Sequence, residues 1–344
     1  MKNYLFLSTL LFVIMAVSCH SKDKNEKADV VNLIFETDMG NDVDDALALD
    51  MIYKYIDKGE VNLLGIMLNK EGIAPAEYID IMGTWYGYHD VPLGVVREGA
   101  DCENDALNYA QAVVNMKNDE GEDLFCRSKI DYEKLPEAYC LYRKILSQQP
   151  DNSVTVVSVG FSTNLAKLLE TGPDEYSPLT GKELVAKKVK LLCTMAGHIG
   201  DVNFHEYNVV KDIHSAKVVF ENWPGKIVTS PFEVGIQICY PAKSIEEDFK
   251  WAPLHPMVEA YKAYMQMPYD RPTWDLTSVL YAVEGDSWFT MSQPGRIIIT
   301  DKGGMNFVPD KRGNRYYFSV DKHQSEKIKD RFISLLTAKP KSFK

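Results

Sequence analysis

Asp38, Asp42, Asp44 and Asp45 fall within eight residues of one stretch, ETDMGNDVDDALAL, residues 36–49. Carboxylates crowded in this way repel one another and raise each other's pKa unless a cation lies between them. Oxygen donors of this kind suit a hard divalent ion. Helix capping is the plainer reading, since an Asp near a helix N-terminus accepts a backbone N–H and complements the dipole. Capping accounts for one or two of the four. A calcium loop of the EF-hand type needs Gly at its sixth position and Glu at its twelfth. Counted from Asp38, those positions hold Val43 and Leu49, so that reading fails. A phosphatase-type aspartate pair would need a nucleophilic Asp where this chain has Glu36.

These residues need elements to position them. Apolar runs of strand length occupy residues 30–37, 61–68, 91–96, 153–160, 188–197 and 225–230, and helical patterns separate most of them. Unbroken β-branched runs suit strands buried on both faces. Their alternation with helices predicts an open, mostly parallel, doubly wound α/β sheet of the Rossmann-like kind, with helices on both faces. The C-terminal third predicts antiparallel additions at 296–300, 303–309 and 315–320, then an amphipathic closing helix, SEKIKDRFISLL. In such sheets ligands gather outside the carboxyl ends of the strands. The loops after residues 37, 68, 160 and 197 are therefore where function is expected.

Four segments in order resemble the calcium-dependent nucleoside hydrolases of the inosine/uridine-preferring family. That family's first strand ends in DTDxG and is followed by an aspartate pair. This chain has ETDMGNDVDD, with Glu36 for the first Asp and two extra residues before Asp44 and Asp45. VGFSTNLAKLLE, residues 159–170, is similar to the family's GPLTNLA stretch, with Thr163 at the residue whose carbonyl binds calcium. The segment at 195–220 carries Glu206 and Asn208 where the family's EFN holds the sugar. TWDLTSVLYAV, residues 273–283, matches the last calcium aspartate with Asp275.

The resemblance implies an N-ribohydrolase with calcium (Ca²⁺) held by Asp38, Asp45, Asp275 and the Thr163 carbonyl. It implies that Asp38 takes a proton from water attacking the anomeric carbon, and that Asp44, Glu206 and Asn208 contact the sugar. Asp42 rivals Asp44 because of the insertion. Asn69, in GIMLNKEG, is a further expected sugar contact. Where the family has a histidine that protonates the leaving base, this chain has Trp274. An indole stacks on a base but donates no useful proton. His198, His205 or a tyrosine of YKAYMQMPYD is the candidate replacement acid. The alternative is a non-catalytic, calcium-dependent nucleoside- or sugar-binding protein on the same fold.

The whole chain narrows the partners. It has 344 residues, 45% apolar, and a formal charge of −11, which disfavours nucleic acid and anionic membrane surfaces. The partner expected is a small nucleoside or riboside, and the resemblance implies a homo-oligomer. Residues 1–18 read as a lipoprotein-type signal peptide ending in AVS before Cys19, the expected lipidation site. Residues 19–29 are an expected polar tether, and 30–338 the α/β domain. Export to a bacterial membrane through that anchor is the expected localisation. The five other cysteines show no metal-ligand spacing, and no disulfide is inferred.

Overall fold

The fold is that of a computed structural model, which describes residues 30–100, 108–128 and 131–343. Cys19, the signal peptide and the tether lie outside the described residues. Val31–Thr37 (β1) is the hinge of the architecture. Side chains of a strand alternate between faces. Leu33 and Phe35 accordingly enter one hydrophobic core and Ile34 the other, each with no exposed surface. A strand buried on both sides favours consecutive apolar residues, which is why Leu33, Ile34 and Phe35 follow one another at the centre of β1.

Val61–Leu68 (β2) and Val154–Ser158 (β4) flank β1 in parallel, with Leu93–Val95 (β3) beyond β2. Val189–Met195 (β5) and Ile227–Ser230 (β6) continue the parallel sheet from β4. The central order is thus β3-β2-β1-β4-β5-β6. Strand order reverses between β1 and β4, the point at which such sheets open a crevice for ligands.

The C-terminal third differs in part from the antiparallel set the sequence predicts. Two short strands, Cys239–Tyr240 (β7) and Arg271–Pro272 (β8), form a separate ribbon. Thr290–Met291 (β9) joins the sheet margin, and Gly295–Ile299 (β10) pairs antiparallel with Met305–Pro309 (β11). Arg315–Ser319 (β12), however, lies parallel to β6 and meets β10 antiparallel only at Gly295. The hairpin of β10 and β11 is therefore carried on a strand that belongs to the main sheet.

One core lies under helices Asp44–Lys58, Trp274–Glu284 and Lys322–Leu336. The other lies under Ala138–Gln148, Thr163–Glu170, Gly181–Lys188 and Ile213–Asn222. Asp44–Lys58 starts with two acidic residues in its first turn and stops at Gly59, whose φ of 75° is the left-handed conformation of a helix C-cap. Cys193 is buried, as its apolar setting predicts, whereas Cys239 is only half-buried. Among the described residues no helix is long and apolar enough to cross a membrane.

The second core is tied to its flanking loop by one arginine. Arg143 is buried and donates to both carboxylate oxygens of Asp174, at 2.5 and 2.8 Å. It also donates to Thr171 Oγ1 at 2.9 Å, to Leu179 O at 2.9 Å and to Ser177 O at 3.2 Å. Arg143→Leu removes these five bonds and leaves Asp174 the N–H groups of Tyr176 and Ser177. We expect it to cost about 1–3 kcal/mol, read as a fall in the urea midpoint with an unchanged slope.

Candidate active site

The carboxyl ends of β1, β4, β5 and β6 open into a cavity of about 580 Å³. Asp38 follows β1 directly and is 4% exposed. Asn41 Nδ2 donates to its Oδ2 at 2.5 Å. Burial pushes the Asp38 carboxyl up to about 6, against the opposing pull of Asn41 and Lys70. A side chain at Gly160, after β4, would fall 2.6 Å from Asp38 N and 2.8 Å from its Oδ1. Only glycine lets the β4 loop pass this close to Asp38.

Asp44 and Asp45 occupy the first turn of helix Asp44–Lys58, and Asp275 the first turn of Trp274–Glu284. Each offers a carboxylate oxygen within 4.8 Å of the others, and all three are buried. The three carboxyls are held well above the ordinary range, chiefly by burial. Asp42 adds repulsion at Asp44, Asp38 and Asp44 add it at Asp45, and Asp44 and Asp45 add it at Asp275. The Asp275 N–H donates to Asp44 Oδ2 at 3.1 Å, and the Thr37 hydroxyl donates to Asp45. A buried, mutually repelling set of oxygen donors fits a hard divalent cation.

Glu206 caps helix Tyr207–Lys211. Its carboxylate accepts the N–H groups of Gly197 and Asn208, each at 2.8 Å, and of Val209 at 3.2 Å. Burial raises it to about 7. Asn208 Nδ2 donates to Val159 O at 2.9 Å and Met195 O at 3.2 Å, tying the ends of β4 and β5 together. Both side chains line the cavity.

Of the residues singled out from sequence, Asp38, Asp44, Asp45, Glu206, Asn208, Trp274 and Asp275 share this cavity, whereas Asn69 and Thr163 are not in its wall. Thr163 opens a helix, so its carbonyl is turned along the helix axis toward the N–H four residues on. Its hydroxyl donates to Asp212 at 2.6 Å, and the wall residue of that loop is Val159. Asn69 lies behind Asp38, donating to Phe161 O at 2.8 Å and to Glu36 at 3.3 Å. Glu36 is buried away from the cavity and also accepts from the Tyr142 hydroxyl at 2.7 Å.

Asp42 lines the cavity, but its carboxylate is paired with Arg271, at 2.8 Å to Nε and a closer second contact to the other oxygen. The Arg271 guanidinium lies over Tyr264 and Trp274, 5.0 and 5.3 Å from their ring centres. The Trp274 ring stacks on Phe232 at 5.3 Å, and its N–H donates to Phe232 O at 3.0 Å. Of the replacement acids, His205 and Tyr264 line the cavity. His198 is outside the wall, and Tyr261 and Tyr269 stack on each other. Sequence reasoning missed Phe204, Tyr207 and Phe232. The strand-end rule, extended to the loop after residue 230, would have found Phe232.

Asp42 and Arg271 act as a unit on the aromatic wall. Asp42→Asn and Arg271→Met are each expected to raise KM by roughly tenfold, and the double variant by no more than either alone. Steady-state kinetics on the three variants checks this.

The description of the inosine-uridine preferring nucleoside hydrolase family matches residues 33–331. The chain belongs to that family. Membership makes it a hydrolase acting on N-glycosyl compounds. No curated protein sequence matches it. Solved structures do, at low identity. A plant nucleoside hydrolase has 17% identity and a TM-score of 0.65, covering 89% of this chain and 98% of its own. The inosine-uridine preferring nucleoside hydrolase of Bacillus anthracis has 16% identity and a TM-score of 0.65, covering 90% and 98%. A purine-preferring ribonucleoside hydrolase from Gardnerella vaginalis has 16% identity and a TM-score of 0.67, covering 89% and 98%. At such identity these structures speak for the fold alone.

Proposed function

We propose that this nucleoside hydrolase family member cleaves the N-glycosidic bond of a nucleoside or related riboside, with Asp38 as base and calcium as its ion. The observation that carries this reading is the meeting of Asp38, Asp44, Asp45, Asp275, Glu206 and Asn208 on one cavity at the switch point of the sheet. Asp45 and Asp275, with Asp38 and Asp44 adjoining, would hold the ion. When bound, it would grip vicinal ribose hydroxyls and lower the pKa of water beside it.

Asp38 takes the proton of the water that attacks the anomeric carbon. Asp44 accepts a sugar hydroxyl, the task left to it because Asp42 is paired with Arg271. Asn208 orients the ribose with its amide oxygen, its Nδ2 being engaged by Val159 O and Met195. Glu206 adds negative charge near the developing oxocarbenium ion. A non-catalytic binder is the second reading, favoured by Trp274, whose indole N–H is bound to Phe232 O.

Reducing-sugar release from a panel of nucleosides and activated ribosides, in calcium and then in EDTA, tests the proposal. Calcium-dependent release supports the hydrolase. Calcium- and ribose-dependent thermal stabilisation without release supports the binder. We further infer export with lipid attachment at Cys19, supported by the N-terminal sequence, and a homo-oligomer, supported by family membership. Loss of membrane association in Cys19→Ala, and mass measured in solution, test these.

A further inference from the structure

The ribohydrolase reading leaves the leaving group open, and the cavity wall bears on it. Phe204, Phe232 and Trp274 form a continuous aromatic surface, with ring centres 4.6 Å and then 5.3 Å apart. Aromatic faces carry negative potential and attract planar cations. This wall already does so on one flank, where the Arg271 guanidinium lies over Trp274 and Tyr264. Besides Asp42, which is paired with Arg271, four aspartates and one glutamate line the same cavity, more carboxylates than one divalent ion balances, and among the described residues no lysine or arginine does. Arg271 adds little positive field, because Asp42 neutralises it.

Trp274, at the position of the family's acid, supplies no proton on this side. A neutral base departs well only when its nitrogen is protonated as the bond breaks. The Trp274 N–H is committed to Phe232 O. The protic side chains remaining in the described wall include His205 and Tyr207, both exposed, and Tyr264.

We propose that, resting on the ribohydrolase reading, the cavity is selective for ribosides whose leaving group is a cationic heteroaromatic ring, a pyridinium or an alkylated purinium. The water oxygen bonds to C1′, and the C1′–N bond breaks with its electron pair passing to the ring nitrogen. The positive charge of the ring is thereby cancelled, and the water's proton goes to Asp38. The base leaves neutral and needs no acid. Charge selects the substrate in the ground state, through the aromatic wall and the carboxylates, and removes the need for the missing histidine in the transition state.

The test compares matched pairs on the full chain in calcium, with each rate divided by the uncatalysed rate. Guanosine is set against 7-methylguanosine, and nicotinamide riboside against the neutral activated substrate p-nitrophenyl riboside. We expect the normalised kcat/KM for 7-methylguanosine to exceed that for guanosine by about tenfold, the preference of the wall for a cation. Nicotinamide riboside should exceed p-nitrophenyl riboside by about tenfold, and the 1-methylnicotinamide cation should inhibit about tenfold more strongly than nicotinamide. Phe204→Leu should narrow the last two ratios, and the inhibition measured on the unaltered protein keeps the test valid if that variant misfolds. Guanosine within about threefold of 7-methylguanosine, or equal inhibition by both nicotinamides, overturns the inference and leaves the hydrolase standing. If no riboside of the panel is cleaved, the hydrolase reading falls and the inference falls with it.

Discussion

Asp38→Asn is expected to lower kcat by about 10²–10⁴-fold, the range a positioned general base contributes. The substitution keeps the shape of the side chain and its neighbours, including the close pass of Gly160. Only the capacity to take a proton is lost. KM should change little, because the residues assigned to the ribose are Asp44, Glu206 and Asn208. Rates are measured at saturating calcium, so that weaker ion binding does not pass for a chemical defect, and a retained calcium-dependent rise in melting temperature confirms that the ion is present. A fall in kcat of less than about tenfold would remove Asp38 from the role of base.

The second large effect is a reversal of sign. Asp44, Asp45 and Asp275 are buried with oxygens within 4.8 Å of one another. Two unit charges at that distance repel by about 3 kcal/mol at an effective dielectric of ~20, and partial protonation reduces what is felt. In EDTA, Asp275→Asn should therefore melt above the parent chain, by about 1–3 kcal/mol of added stability. In calcium the order inverts. An ion at about 1,000 times its Kd stabilises the parent by about 4.1 kcal/mol, or about 6 °C for a chain of this size, and the variant should lose that gain. Melting curves of both proteins with and without calcium decide it. A variant that melts below the parent in EDTA would mean that the carboxylates are not in uncompensated repulsion.

Much of this was legible in the sequence by itself. The strands could be placed because burial on both faces favours unbroken apolar runs, and β1, β2, β4 and β5 lie within a few residues of where those runs fall. The aspartates could be found because three of the carboxylates are neighbours along the chain, on a loop and a helix start whose position follows from β1. Asp275 and Glu206 were reached through the resemblance of their segments to the family, and the structure places each at the start of a helix.

Tertiary structure alone decided the rest. Val159, and not Thr163, forms the wall, because whether a residue ends a strand or begins a helix sets where its carbonyl points, and the two lie only four residues apart. Asn69 was placed on the right loop, but its amide is drawn back onto Phe161 and Glu36 behind Asp38. Asp42 and Arg271 are separated by 229 residues, and nothing local to either announces the pair. The same holds for β12, whose run of apolar residues suits a parallel or an antiparallel neighbour equally. Periodicity and capping are short-range physics and are written in short segments. Which distant segments meet is settled by packing two cores at once, and that is a property of the folded chain.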